Sequence, residues 1–439
     1  MTCSASPTHS SYLRFAASLA WLLVPGILFF SIALFSPNFS PNFLPDDPAA
    51  GQPPGGDFLQ EYTGGRMLQD PLLRERLYDQ QAFRSVQHDP RQLGFSWQRD
   101  KYFPAVYPPF WYMAIQPLAR LDYLPAARCW LALMTLALAA ALLMLYRTEQ
   151  IPGWMAAVLC CAPPVVASLA SGQKGTLLLL ILTTAWVLLR AGKPLGSGLV
   201  FGLIGFKPHL GLPIGLLMLA GRQWRWVSGV WLTLSGLILV SCTGGMAVCR
   251  GFISMLTGLG NYLETGGYRL AEGFSLAAAC HLTSGNPQAA TMAAGSLSAV
   301  LALATIWYLR NTRFSCRREL ARATAAAVVL MILVVPHFYW YDLVVLVLPV
   351  CLLVRLAGEH GWGRAWVMPA GLLTLLLFGS GALVRLTAAS GFPWGVLLLV
   401  VALGMVLKLP LPSAATRDPQ IDRAAALPLR YWQRPPGVC

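Results

Sequence analysis

The chain has 439 residues, of which 56% are hydrophobic and 11% charged. Soluble globular proteins carry roughly 25% charged residues, so this composition excludes a soluble domain with a single anchor and indicates an integral membrane protein. The net charge of +14 is uneven, because residues 36–125 hold more acidic than basic side chains while the basic excess lies at the ends of apolar segments. That distribution is a topology signal and argues against a nucleic-acid partner.

Apolar segments long enough to cross a bilayer, each about 17–25 residues, recur from residue 15 to residue 408. Backbone polar groups in lipid must be satisfied within the segment, so each is predicted to be a helix. No A-x-A-like cleavage site follows the first, which we therefore retain as a span. The predicted spans lie near 15–35, 126–146, 153–170, 176–190, 226–243, 289–309, 322–335, 342–357, 365–382 and 392–408.

Residues 195–220 are ambiguous between one crossing and two short helices broken at Phe206-Lys207-Pro208-His209. The strongest cytoplasmic markers are the basic segment 310–322 and the basic tail. Both fall on the cytoplasmic side, together with the N-terminus, only if 195–220 crosses twice. We therefore predict a broken pair of helices and both termini in the cytoplasm.

The predicted fold is an all-α polytopic membrane protein, a bundle of about 12 transmembrane helices within a range of about 10–13. The bundle comprises residues 1–409. It includes a first extracytoplasmic loop, 36–125, of short amphipathic helices, and a second sizeable outer loop, 244–286. Residues 410–439 are predicted to be a disordered, basic, cytoplasmic tail.

The same topology collects polar segments on the outer side, although it was derived from basic residues alone. Polar groups at membrane depth are costly and usually functional, so their collection predicts one extracytoplasmic site. The segments are Asp57, Gln173-Lys174, Lys207-Pro208-His209, the loop 244–286 and Pro336–Asp342.

Asp57 follows two glycines shortly after the first predicted span. It is open to two interpretations: a helix N-cap, for which Asp is favoured, or a partly desolvated general base that accepts a proton from a sugar hydroxyl. Glu61 lies one helical turn later and could share its face. No D-x-D pair is present, so no metal is predicted.

Three further segments carry candidate site residues. In Lys207-Pro208-His209 the proline breaks the helix and the lysine supplies a charge for phosphate, or the lysine simply snorkels at a helix end. Gly172-Gln173-Lys174-Gly175 joins two spans and needs no function beyond a tight turn. His337 precedes Tyr339, Trp340 and Asp342, which could bind sugar or form an interfacial aromatic belt. Whether Cys249 and Cys280 form a disulfide stays open.

The chain resembles glycosyltransferase family 87, the membrane transferases formerly described as the domain of unknown function DUF2029. The resemblance spans about residues 57–350 and rests on the order and spacing of several short motifs. These are Asp57 with Tyr62 and Gly65, Leu77-Tyr78, Tyr107-Pro108-Pro109, Pro117-Leu118, Gly172-Gln173, Gly202, Lys207-Pro208 and Pro336–Asp342.

The resemblance implies a GT-C fold and an inverting transfer of a hexose, commonly mannose, from a polyprenyl-phosphate donor on the outer face of the plasma membrane. It implies Asp57 as the catalytic base and His337 as a second catalytic residue. Lys207 and His209 are then expected to bind the donor phosphate. Glu61, Tyr62, Tyr107, Gln173, Tyr339, Trp340 and Asp342 are expected to line the substrate site.

The implied partners are a glycolipid or glycan acceptor and membrane lipids, with no cofactor. Two departures from the family pattern concern the long connector 36–56 and the late motif. The latter reads His337-Phe338-Tyr339-Trp340 and lacks the Ser-Trp-x-His-His form of mycobacterial members. The alternatives are a transporter or flippase for a lipid-linked saccharide and a polysaccharide polymerase or ligase. Flippases usually carry charges deep in several spans or internal repeats, which are not evident here.

Overall fold

A computed structural model describes residues 24–32, 53, 55–97, 101–265, 269–314 and 316–410, with only the backbone for 258–265. Most of the connector 36–56 and all but the first residue of the predicted tail 410–439 lie outside these ranges. Within them the protein is nearly all helical and contains no strand. The predicted all-helical class is therefore confirmed.

The first loop folds into short helices that pack inward. Asp70, Asp79 and Asp89 each cap one helix by accepting hydrogen bonds from backbone N–H groups of its first turn. Phe58 and Phe83 are completely buried, so the loop is part of the packed protein. Its helices are Phe58–Met67, Pro71–Arg74, Gln80–Gln87, Pro90–Leu93, Pro109–Ile115 and a 3₁₀ turn at Leu118–Arg120.

The remaining helices form the bundle. They are Tyr123–Glu149, Gly153–Cys160, Pro163–Ala170, Gly175–Arg190, Pro194–Phe201, Pro208–Ala220, Trp224–Cys242, Met246–Thr265, Leu276–Thr283, Pro287–Leu309, Arg317–Val334, Val347–Glu359, Arg364–Ser390 and Trp394–Leu407, with 3₁₀ segments at Gly202–Phe206, Leu270–Glu272 and Trp340–Leu346. The predicted outer loop 244–286 is thus largely helical. Cys249 and Cys280 are both free thiols.

Among the described residues, five helices are long and apolar enough to cross a membrane, or six when the pair Gly153–Cys160 and Pro163–Ala170, bent by 51°, counts as one span. Five more apolar helices or helix pairs are shorter. The predicted total of about 12 crossings therefore stays a prediction.

Burial separates the centre of the bundle from its periphery. The segment Trp340–Glu359 is 78% buried over its most apolar window, whereas Trp224–Cys242 and Pro287–Leu309 are each 17% buried. These two peripheral helices, Trp224–Cys242 and Pro287–Leu309, expose large apolar side chains such as Trp231 and Leu303. Their apolar surfaces are suited to contact with lipid.

The ambiguous segment 195–220 is broken at Lys207, as the proline predicts. Pro208 has no N–H to donate to the preceding turn and disfavours helical geometry in the residue before it. Lys207 accordingly has φ −132° and ψ 71°, which interrupts the helical path. The break presents the lysine side chain beside the polar residues described below.

A network of ion pairs around the buried Glu149 carboxylate lies at one end of the bundle. The Glu149 carboxylate receives both Arg190 and Arg317 at 2.8 Å, and Arg317 also pairs with Glu359 at 2.5 Å. Glu149 and Arg190 end the helices that begin at Tyr123 and Gly175. The network therefore lies at the opposite ends of those helices from the Asp57 region.

Candidate functional site

Two glycine turns from distant parts of the chain meet beside Asp57. A Cβ atom at Gly56 would lie 2.5 Å from the Ser171 carbonyl oxygen, and one at Gly172 would lie 2.1 Å from the Gly55 oxygen. Both glycines have positive φ, 56° and 67°, which other residues adopt with strain. The Asp57 N–H donates to the Ser171 oxygen at 3.0 Å. Only glycine allows this approach, which anchors the start of helix Phe58–Met67.

The Asp57 side chain faces the second turn. It occupies the N-cap position of its helix but accepts no capping hydrogen bond. Instead its Oδ2 accepts a hydrogen bond from the Gln173 amide. Asp57 thus has the predicted N-cap position without a capping side chain, and its role as a general base stays a prediction.

The electrostatic surroundings of Asp57 favour a group that takes up a proton near neutral pH. Burial raises its pKa from 3.8 to about 7, against the opposing attraction of Lys174 and Lys207. Glu61 and Asp342 add to the increase in the Asp57 pKa. Asp57 nevertheless keeps a partly exposed surface. A partly accessible carboxylate with this pKa has the properties of a general base.

Glu61 and Lys174 form a buried ion pair one helical turn from Asp57. Glu61 is 0% exposed and Lys174 is 2% exposed. The Lys174 ammonium also lies 4.1 Å from the centre of the Tyr107 ring, within the range of a cation–π contact. Glu61 and Tyr107 were predicted to line a substrate site, and the structure places both around Lys174.

Lys207 and Asp342 form the other side of the cluster. Their charged atoms are 3.8 Å apart, with side chains 18% and 8% exposed. Asp342 Oδ2 also accepts a hydrogen bond from the Tyr339 N–H at 3.4 Å, at the start of the segment Trp340–Leu346. Tyr339 and Trp340 are half-buried there.

His337 and His209 lie within electrostatic range of Lys207. Burial and the Lys207 charge lower the pKa of His337, so its ring is neutral at pH 7. The His337 loop is held by two hydrogen bonds of 2.8 Å, from the Phe274 N–H to the Phe338 oxygen and from the Ser275 hydroxyl to the Pro336 oxygen.

Tyr62 is the predicted site residue that the structure does not bring to this cluster. It is 1% exposed, and its hydroxyl donates to the Leu121 oxygen at 2.8 Å. Its ring contacts Tyr123 edge to face at 5.0 Å. The side chain therefore supports the first-loop helix.

An apolar groove includes Pro208, the residue after Lys207, in its lining. It has a volume of about 320 Å³ and lies between the broken helix pair and helix Trp224–Cys242. Gly202, Gly205, Gly211 and Gly215 flatten one wall, and Pro208 lies at the cluster end. Its outer rim includes exposed Leu212 and Trp231. A groove with this apolar lining suits a hydrocarbon chain, and Pro208 in its lining directly follows Lys207 in the chain.

The sequence placed both Gln173 and Lys174 on the outer side but assigned a substrate-lining role to Gln173 alone. A local signal for a Lys174 contact was available in the spacing. Asp57 and Glu61 are one turn apart on a helix, and Gln173 and Lys174 are adjacent in a turn, so a contact of Gln173 with Asp57 favours one of Lys174 with Glu61. Among the described residues, no three His, Cys, Asp or Glu are grouped so as to hold a metal ion.

The sequence was compared with protein-family models, curated proteins and solved structures. The model of glycosyltransferase family 87 matches residues 105–336, more than half of the chain. This range contains Gln173, Lys174 and Lys207, begins after Asp57 and ends just before His337. No curated protein and no solved structure matches.

Proposed function

We propose, because the chain belongs to glycosyltransferase family 87, that this membrane glycosyltransferase moves a hexose from a polyprenyl-phosphate donor to a hydroxyl of a glycolipid or glycan. Mannose is the hexose we expect. The observation that carries the proposal is the union of the Asp57 carboxylate, the Lys207 ammonium and an apolar groove that begins at Pro208.

The groove supports a lipid-linked donor. A hydrocarbon chain in the groove would leave its phosphate beside Lys207, with His209 close by. The lysine supplies a point charge and the neutral His337 ring supplies a hydrogen-bond donor for the phosphate oxygens. The sugar would then lie between Lys207 and Asp57, where Tyr339 and Trp340 offer aromatic surface.

Asp57 acts in this mechanism through the oxygen that Gln173 does not use. Oδ2 accepts the Gln173 hydrogen bond, which leaves Oδ1 for the acceptor hydroxyl. Oδ1 takes the hydroxyl proton while the acceptor oxygen bonds to the anomeric carbon. The bond from that carbon to the phosphate oxygen breaks, and its electron pair leaves with the lipid phosphate. In-line attack inverts the centre, so a β-linked donor gives an α-linked product.

Charge balance within the cluster favours this sequence of events. Asp57, Glu61 and Asp342 supply three negative charges, and Lys174 and Lys207 supply two positive charges. When Asp57 takes the proton, the cluster becomes neutral as the leaving phosphate gains charge. Fixed cations near the leaving group then stabilise the transition state without reorganisation.

The positions of the two charged regions support an extracytoplasmic site. Arg190 and Arg317 lie in the ionic network at one end of the bundle, and Lys174 and Asp57 lie at the other. The positive-inside rule assigns the arginine-rich end to the cytoplasm. The proposed site then faces the outside of the plasma membrane, with both termini inside.

A donor comparison tests the function. Purified protein in sealed lipid vesicles would receive an octyl mannoside acceptor with either labelled polyprenyl-phosphate mannose or a labelled polyprenyl-pyrophosphate oligosaccharide. The proposal predicts a monosaccharide-extended product from the first donor only. Product from the pyrophosphate donor alone would indicate a polymerase or ligase, and donor movement across vesicles without covalent product would indicate a flippase.

A further inference from the structure

Helix Phe58–Met67 and the turn before helix Gly175–Arg190 are joined by two parallel side-chain pairs. Gln173 donates to Asp57, and Lys174 donates to Glu61. Asp57 and Glu61 are four residues apart, so they share one face of the helical path. The adjacent residues of the turn therefore meet adjacent positions on that face.

The ion pair of Lys174 with Glu61 is buried at a cost in solvation free energy. Both side chains are at most 1% exposed, and Glu61 Oε2 is a buried oxygen that accepts no hydrogen bond from the described residues. Burying an ion pair removes its hydration, and apolar replacements of similar volume are often neutral or stabilising. The stability of the fold therefore does not explain why charged residues occupy these two positions.

The location of the pair suggests its role. Lys174 has a larger effect on the Asp57 pKa than Lys207, the other cation, and Glu61 has a larger effect than Asp342, the other anion. Glu61 and the Tyr107 ring together fix the ammonium position. The electrostatic stabilisation of ionised Asp57 thus depends on whether the Lys174 ammonium pairs with Glu61 or with Asp57.

We propose that Lys174 is a positioning residue for glycosyl transfer, which Glu61 and Tyr107 hold at a fixed distance from the Asp57 carboxylate. At that distance Lys174 keeps Asp57 ionised enough to accept a proton, and Glu61 prevents Lys174 from pairing with Asp57 directly. Gln173 orients the same carboxylate through Oδ2. The inference rests on the proposed role of Asp57 as the base.

The charged and titratable groups that face Asp57 come from every neighbouring element. They are Lys174 and Glu61, Lys207 at the helix break, Asp342 on the late 3₁₀ segment, and the hydroxyls of Tyr107, Tyr123 and Tyr341. The tyrosine hydroxyls are neutral at working pH. The two variants that test the inference, Glu61→Gln and the double variant Glu61→Gln, Lys174→Met, change only the Glu61 and Lys174 charges.

The two available charge changes have opposite effects. Glu61→Gln frees the Lys174 ammonium to attract Asp57, so the carboxylate loses its proton at a lower pH. The double variant Glu61→Gln, Lys174→Met removes both charges, and Asp57 then loses its larger, attractive neighbour. Its carboxylate keeps the proton to a higher pH. Each change should move the acidic side of the pH–rate profile by about one unit.

The test measures kcat/KM against pH for transfer from polyprenyl-phosphate mannose to octyl mannoside. We expect the acidic side to move down in Glu61→Gln, with a lower plateau rate because the base is weaker. It should move up in the double variant. Glu75→Gln, an exposed carboxylate in the same loop, should leave the profile unchanged. Lys174→Arg keeps the charge and should retain the wild-type profile within about half a unit.

Unchanged acidic sides in both variants, with wild-type folding, would overturn the inference. If the double variant does not fold, Glu61→Gln alone decides whether the inference holds. In that variant Lys174 keeps its charge and can pair with Asp57. Asp57→Asn separates the two claims. If Asp57→Asn is inactive and Glu61→Gln does not shift, only the Lys174 role fails, whereas an active Asp57→Asn removes the proposed function of Asp57 itself.

Discussion

The Gln173 amide donates a hydrogen bond to the Asp57 carboxylate across 116 positions of sequence. Gln173 lies in a turn between two helices of the bundle, and Asp57 begins a helix of the first loop. The close backbone approach at Gly56 and Gly172 fixes the two turns together. The position of the proposed base is therefore set by the packed bundle, although Asp57 belongs to a loop.

The first prediction concerns the pH dependence of transfer. Because burial raises the pKa of Asp57 to about 7, the carboxylate is protonated and inactive as a base below that pH. We expect kcat/KM to fall about tenfold per pH unit below 7 and to level off above it. Steady-state rates between pH 5 and 9 measure this. A flat profile down to pH 5 would show that the base titrates elsewhere.

The second prediction concerns the stability of Asp57→Asn. The pKa of Asp57 is higher in the folded protein than the value of 3.8 that applies when unfolded. Ionised Asp57 therefore costs stability, and this cost is absent near pH 4, grows as the pH rises to 7 and is complete above 7. Partial exposure limits the cost, so we expect Asp57→Asn to gain about 1–2 kcal/mol at pH 8.

Melting temperatures in detergent at pH 5 and pH 8 check this gain. The difference between Asp57→Asn and wild type should widen at the higher pH. Asp122→Asn is the matched control, because Asp122 is exposed and also occupies an N-cap position without a capping hydrogen bond. Equal differences at both pH values would contradict a buried, raised-pKa carboxylate.

The third prediction concerns donor binding by Lys207. Loss of a charge-assisted contact to phosphate costs about 1.5–3 kcal/mol, so Lys207→Ala should raise the donor KM by about tenfold to a hundredfold. Lys193→Ala is the control, since Lys193 also precedes a proline at a helix start but is exposed and lies at the opposite end of helix Pro194–Phe201 from the break. Equal donor KM values for the two variants would argue against a phosphate contact.

The fourth prediction concerns the apolar groove. A Cβ at Gly215 meets no atom within 4 Å, so Gly215→Leu should fold and place its side chain in the groove. We expect the donor KM to rise about tenfold for a long polyprenyl chain and much less for a short-chain analogue. Gly236→Leu adds the same side chain to an open, exposed position outside the groove. If both variants use long-chain donor normally, the lipid binds elsewhere.

Local chemistry made part of this structure predictable. The proline at position 208 predicted the helix break at Lys207. The distribution of basic residues predicted that Asp57, Lys174 and Lys207 lie on the same side of the membrane. The structure brings these three residues into one charged cluster. Their roles in transfer stay predictions.

Long-range packing accounts for what the sequence did not reveal. The burial of Glu61 against Lys174, and the turn of Tyr62 toward Leu121, depend on how the first loop meets the bundle. No local pattern encodes that meeting. The number of crossings is equally hard to derive, because several apolar helices are shorter than a bilayer and one pair is bent.

The most direct test of the account is single-turnover transfer from labelled polyprenyl-phosphate mannose to octyl mannoside by Asp57→Asn, with Asp122→Asn beside it at pH 8. General base catalysis contributes about 10²–10⁴-fold. The account predicts that Asp57→Asn still binds donor but transfers at least about a hundredfold more slowly, while Asp122→Asn matches wild type. Transfer by Asp57→Asn at a near wild-type rate would contradict Asp57 as the base.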